Sequence, residues 1–169
     1  MLASRHGARL RNAKEHALTA DVRIDGTRVA LAFPQTYMND SGRAVAALAR
    51  RHAIDDPTRI VVVHDELDLP LGRLQVKEGG GLAGHNGLKS IRDHLHSTAF
   101  VRVRVGIGKP PGRREGADHV LRRPSRGERE ELDVAKQEAA DAVELIVTSG
   151  AAAAMNRYNQ RPPTPEDEA

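Results

Sequence analysis

Cysteine and tryptophan are both missing from this 169-residue chain, and Tyr and Phe occur only twice each, so aromatics make up 2% of it. The absence of thiols excludes disulfides, thiolate nucleophiles and zinc-thiolate centres together, and it agrees with a reducing cytoplasm. With so few aromatic rings the interior must be filled by Val, Leu, Ile and Ala, since hydrophobic residues still amount to 39%. Long apolar runs are also lacking. No segment approaches the roughly 20 consecutive apolar residues that span a bilayer, and the opening MLASRHGARLRNAKEH has no apolar core of signal-peptide length, so the chain reads as soluble and cytoplasmic.

The formal net charge is a mild +3, which permits a polyanionic partner without requiring one. Distribution says more than the total. Lys77, Lys89, Arg92, Arg102, Arg104, Lys109, Arg113 and Arg114 flank one glycine-rich segment, whereas acids gather in the final PTPEDEA. A solvated surface and a phosphate-backbone contact are the two readings of that basic set.

One core suffices for 169 residues, since single domains run to about 100–200 residues before splitting. Leu2, Ala3, Ala8 and Leu10 suggest the closing turns of an amphipathic helix. From Ala17 to Phe33 the pattern alternates around Asp25-Gly26, which predicts two antiparallel strands and a tight turn. Beyond Pro34, Asp40 or Ser41 can cap a helix carrying Val45, Leu48 and Ala49 as far as His52. Ile60 to Val63 is a β-branched run expected to be buried on both faces. It ends in HDELDLP, and functional residues in α/β sheets collect at such strand ends. A strand over Gly72–Lys77, a loop over Gly79–Gly87, a helix over Leu88–His96 and an alternating strand over Phe100–Ile107, with Arg102 and Arg104 on one face, follow. The Pro-Gly stretch KPPGRREG leads to a long helix from Arg126 to Thr148 with Leu132, Ala135, Ala139, Val143 and Ile146 as its apolar stripe. This order predicts a single-domain α/β fold, a mixed twisted β-sheet flanked by helices, over residues 1–160, with 161–169 a disordered acidic tail.

Glycines in GGGLAGHNG let the backbone approach a ligand closely, but the segment has neither the Lys-Ser/Thr ending of a phosphate-binding loop nor a dinucleotide pattern. Inside it, the Asn86 carboxamide suits holding a water or a peptide carbonyl; capping the following helix is the competing role. Asn39, after Tyr37-Met38, offers the same chemistry at a strand-to-helix connection, or else simple helix entry. Asp65, closing the Val run, is placed to accept an imidazole N–H, whereas Glu66 and Asp68 are less well placed to point inward. His64, Asp65, Glu66 and Asp68 could also ligate a metal, although their spacing fits no metal signature.

Taken together, PQTYMNDSGRAV, VVVHDELDLPLGRLQVKEGGGLAGHNGLKSI and FVRVRVGIGKPPGR resemble bacterial-type peptidyl-tRNA hydrolases in order and separation, from Met1 to about Arg157. The resemblance implies that family's fold and hydrolysis of the ester between a peptide and the 3′-terminal ribose of tRNA, by a monomer needing neither cofactor nor metal. It also implies that Tyr37, Asn39 and Asn86 contact the peptide or the tRNA acceptor end and that Met38 lines the same crevice. Asp65 becomes the acid that steadies the catalytic imidazole, His85 a supporting group, and Lys77 and Arg104 phosphate contacts.

The family's opening strand, Gly-Asn-Pro-Gly turn and Thr-Arg-His-Asn element, whose His is the general base, have no counterpart in this sequence. Ser4-Arg5-His6-Gly7 imitates that element, yet only 32 positions separate His6 from Met38, and His6 better matches the end of the helix that follows it. The expectation is therefore a hydrolase whose recorded start is downstream of the true one, with a missing first strand and an exposed apolar sheet edge. A truncated protein that binds the tRNA acceptor end or peptidyl-tRNA without hydrolysing it is the alternative. A scaffold with no nucleic-acid role is the third reading.

Overall fold

A computed structural model describes residues 1–82, 84–108 and 125–160. The expectations for Lys109, Arg113, Arg114, the KPPGRREG stretch and the acidic tail lie outside the described residues. By contacts the chain divides into two compact units, Met1–Val62 with Glu78–Arg102, and Val63–Lys77 with Val103–Ala169.

In the first unit, helix α1 (Leu2–Arg5) is followed by strands β1 (Arg11–Ala13), β2 (Ala17–Ile24) and β3 (Thr27–Pro34), an antiparallel sheet in that order. The hairpin forms where Asp25-Gly26 predicts it. Both turn residues have positive φ, 49° and 78°, the backbone that matches the twist of the flanking strands. Val22 faces Val29 and Ile24 faces Thr27 across the ladder. The opening helix is shorter than the apolar spacing suggests, because Arg11–Ala13 pairs with β2 instead of continuing it.

Helices α2 (Ser41–Arg51) and α3 (Asn86–Leu95) pack closely in the same unit. Their contact is made possible by Gly42, whose N–H donates to Ser90 Oγ at 2.9 Å. The buried side of α3, Leu88 and Ile91, forms a hydrophobic core with Leu82 and Phe100, bordered by Val45, Ile60, Val62 and Leu95. Phe100 is fully buried, so one of only two phenylalanines goes where an aliphatic-rich interior most needs a large side chain.

Strands β4 (Val61–Glu66), β5 (Leu74–Glu78) and β6 (Val101–Gly106) pair in the order β4-β6-β5. Within the first unit Val101 N–H donates to Ile60 O, and within the second Ile107 N–H donates to Glu66 O. Both partners advance along the chain, so β4 and β6 run parallel. Gly79 N–H reaches Phe100 O whereas Gly106 N–H reaches Arg73 O, a reversal that makes β5 antiparallel to β6 and the sheet mixed. The burial expected for Ile60–Val63 is corrected. Val63 is 49% exposed and Val61 only half-buried, because β4 is an end strand paired with β6 alone among the described residues.

The second unit continues with helix α4 (Arg126–Ser149), capped by Ser125, whose Oγ accepts from Glu128 N–H. Ala135, Ala139, Ala140, Ala142 and Val143 are its buried face. A further helix, α5 (Ala151–Tyr158), starts after Gly150 and is not distinguished by the sequence periodicity. At its end Asn159 does the work of a strand. Its Oδ1 accepts from Val76 N–H and its Nδ2 donates to Val76 O, each at 2.7 Å. Asn159→Ala is expected to lower unfolding stability by about 1–3 kcal/mol, as the loss of two neutral hydrogen bonds implies; a urea midpoint equal to that of the wild type would refute the pairing.

Candidate active site

The residues singled out by sequence divide between the units. Tyr37, Met38, Asn39, His85 and Asn86 belong to the first; Asp65, Lys77 and Arg104 belong to the second. In the first unit a single 3-10 turn, Met38–Asp40, packs against α3. Ser41 Oγ donates to Met38 O at 2.8 Å and closes that turn onto α2. A Cβ on Gly87 would stand 2.6 Å from Met38 Sδ and 3.0 Å from His85 Cε1. Met38, His85 and the first turn of α3 therefore share one small surface, and only a glycine at position 87 leaves room for both side chains.

The two roles weighed for Asn86 are separated by this geometry. His85, not Asn86, caps α3: its Nδ1 accepts from Leu88 N–H at 3.2 Å. Asn86 is the first helical residue, exposed, and its carboxamide has no hydrogen-bond partner among the described residues. Asn39 is likewise exposed and uncommitted. With Nδ1 accepting, a neutral His85 ring carries its proton on Nε2, which then has no lone pair with which to take a proton from water. His6 terminates α1, as its resemblance to the end of a helix suggests.

Tyr37, 85% exposed, borders a cavity of about 550 Å³ that His16, Gln35, Thr36, Asp40 and Arg43 complete. Thr36 Oγ1 is buried there without a partner among the described residues. No sequence pattern pointed to this cavity, because its lining joins the residue before β2, the segment that follows β3, the 3-10 turn and the first turn of α2.

In the second unit, alternation along β4 puts Asp65 on the half-buried face with Val63, and His64 and Glu66 on the buried one. Glu66 thus does point inward, contrary to expectation. Its Oε2 lies 3.1 Å from Arg104 Nη2, with the two side chains only 8% and 14% exposed. Lys77 is half-buried on β5 with no partner among the described residues. Arg102, counted by sequence among surface cations, is corrected by the first unit. It is 1% exposed and donates to Gly79 O and Gly81 O at 2.9 Å each, so it fastens the glycine-rich loop that leads to His85. Among the described residues no group of three or more His, Asp or Glu is arranged to hold a metal ion, and no helix is long and apolar enough to cross a membrane.

Fold and site together define an α/β protein that presents uncommitted carboxamides beside a helix N-terminus, an arrangement suited to holding a carbonyl or a water. Peptidyl-tRNA hydrolase is the family whose sequence model matches residues 1–166. Similar proteins include the peptidyl-tRNA hydrolases of Frankia alni, 48% identical over 94% of this chain and 80% of that one, and of Nocardia farcinica, 49% identical over 94% and 82%. The crystal structure of peptidyl-tRNA hydrolase from Acinetobacter baumannii superposes with a TM-score of 0.87 at 37% identity, covering 96% of this chain and 83% of that one. The chain belongs to the peptidyl-tRNA hydrolase family.

Proposed function

We propose that the protein hydrolyses the ester between the C-terminus of a peptide and the 3′-terminal ribose of tRNA, returning tRNA from prematurely released peptides. It acts in the cytoplasm as a monomer, without cofactor or metal. The observation that carries this reading onto the residues is the uncommitted, exposed Asn86 carboxamide at the start of α3, next in the chain to the Gly87 that Met38 approaches. Its NH2 group donates to the ester carbonyl oxygen, where negative charge develops as water attacks. Asn39 and Tyr37 hold the peptide or the acceptor end alongside, and His85 supports them by fixing the first turn of α3. Asp65 accepts an imidazole N–H and steadies the general base, a role assigned to none of the eight histidines of the chain.

The deciding experiment follows release of free tRNA from labelled peptidyl-tRNA by this 169-residue chain and by a form extended upstream. Release by either supports hydrolysis. Tight binding with the ester left intact in both establishes the binding-only alternative. Lys77 supplies a phosphate contact in this reading. Lys77→Ala is expected to weaken tRNA binding and to make the plot of log affinity against log salt shallower by about 0.7–0.9, the contribution of one neutralised phosphate. An unchanged slope would remove Lys77 from the interface.

A further inference from the structure

The solvent face of the antiparallel sheet in the first unit holds two like charges where the ladder forces them together. Ile24 and Thr27 close the two-residue turn as a hydrogen-bonded pair. Such pairs alternate with open ones, so Arg23 faces Arg28 in an open pair, the kind whose side chains stand closest. The Gln35 N–H that reaches His16 O keeps the same alternation at the far end of the ladder. Like charges directly opposite on paired strands are destabilising. No carboxylate relieves this pair: Asp21, two residues before Arg23 on the same face, forms no ion pair with either arginine among the described residues. Arg23 Nη1 donates instead to Gly26 O at 3.3 Å, which holds its guanidinium at the turn.

The rest of this face is low and open. Ala30 and Ala32 follow Arg28 along β3, and both are exposed together with Asp21, Arg23 and Arg28, while Val22 and Ile24 are buried on the other face. Arg11, exposed on β1 opposite Thr19, adds a cation at the far end. About 20 Å of strand separates Arg28 from Pro34, and Tyr37, Met38 and Asn39 lie beyond it, so this surface stands apart from the candidate active site.

We propose that this face is a contact for the ribose-phosphate backbone of RNA: Arg23 and Arg28 hold a phosphate between them, and Asp21 accepts a 2′-hydroxyl of the adjoining ribose. The planar fork of each arginine matches phosphate oxygens, and alanines leave room for a backbone to lie close. A patch of cations alone would take any polyanion. A free carboxylate beside the arginines repels phosphate unless a hydroxyl is there to donate to it, and only the RNA sugar carries that hydroxyl, which sets RNA above DNA. No ester takes part, so this contact stands or falls separately from the hydrolysis proposed above.

The test titrates the full chain with a short RNA hairpin lacking a 3′ CCA end, and with the DNA hairpin of the same sequence, across a salt series read by fluorescence anisotropy. The proteins are the wild type, Arg28→Thr, Asp21→Ala and, as a control for any exposed arginine, Arg50→Ala. The wild type should bind the RNA hairpin several-fold more tightly than the DNA hairpin. Arg28→Thr should weaken RNA binding and make the plot of log affinity against log salt shallower by about 0.7–0.9, one phosphate's worth, while raising the urea midpoint at low salt because the facing charge is gone. Asp21→Ala should tighten DNA binding more than RNA binding and so close the gap between them, whereas a general charge effect would tighten both alike. A slope in Arg28→Thr no shallower than in Arg50→Ala, equal binding of the two hairpins by the wild type, or an undiminished RNA preference in Asp21→Ala overturns the proposal.

Discussion

Replacing Gly42 by Ala should unfold much of what holds the first unit together. A methyl group at that position overlaps the Ser90 carbonyl and stands 2.7 Å from His94 Nδ1. The carbonyl cannot step aside cheaply, since it belongs to a helical backbone and is itself hydrogen-bonded to the His94 ring at 2.9 Å. Helices α2 and α3 must instead move apart, stretching the Gly42 N–H···Ser90 Oγ bond and loosening Leu88 and Ile91 in the core. The expected loss is about 3 kcal/mol, the upper end of overpacking costs, read as a lower urea midpoint. Gly127→Ala is the matched control. That glycine sits on α4 with open space around its α-carbon, and alanine there should stabilise the helix by about 0.5–1 kcal/mol. Equal midpoints for Gly42→Ala and the wild type would mean that the two helices do not approach as described.

Asn86→Ala is expected to act on turnover and leave the fold alone. The side chain is exposed, makes no hydrogen bond to the described residues, and caps nothing, because His85 already receives the Leu88 N–H. Stability should therefore stay within about 0.5 kcal/mol of the wild type, as for other surface changes. Hydrolysis depends on the charge that develops on the ester oxygen, and removal of a single donor aimed at such an oxygen costs about 10²- to 10³-fold in kcat. Single-turnover hydrolysis of labelled peptidyl-tRNA measures it. Normal turnover would remove Asn86 from the reaction, and His85→Ala would then show whether the cap alone matters.

Local patterns are legible in the sequence where the determinant is local. Asp25-Gly26 specifies its hairpin because two consecutive positive-φ positions are a property of those residues. The mixed sheet and its helices follow from changes of hydrophobic period, and the resemblance of three long motifs names the family that the sequence model matches. Other features depend on what packs from elsewhere. Alternation assigns Arg102 and Arg104 to one face of a strand, but it cannot tell whether that face meets water, two glycine carbonyls or a buried glutamate. Val63 belongs to a run that suits a fully covered strand, and its exposure follows from the strand's place at the end of the order. Asn86 and His85 are adjacent, and either could cap a helix; the sequence does not show which side chain turns back to the Leu88 N–H, and in the fold it is the His85 ring.

The carboxamide of Asn159 has a consequence for the molecule in crowded solution. Because it occupies both the N–H and the C=O that Val76 turns outward, β5 offers no unpaired peptide group at that position to the strand of another molecule. A side chain that imitates one residue of a strand ends the ladder there, as a plug ends a thread. Loss of that plug in Asn159→Ala would reopen a template for intermolecular β-pairing, so its expected first symptom is concentration-dependent turbidity at temperatures well below global unfolding.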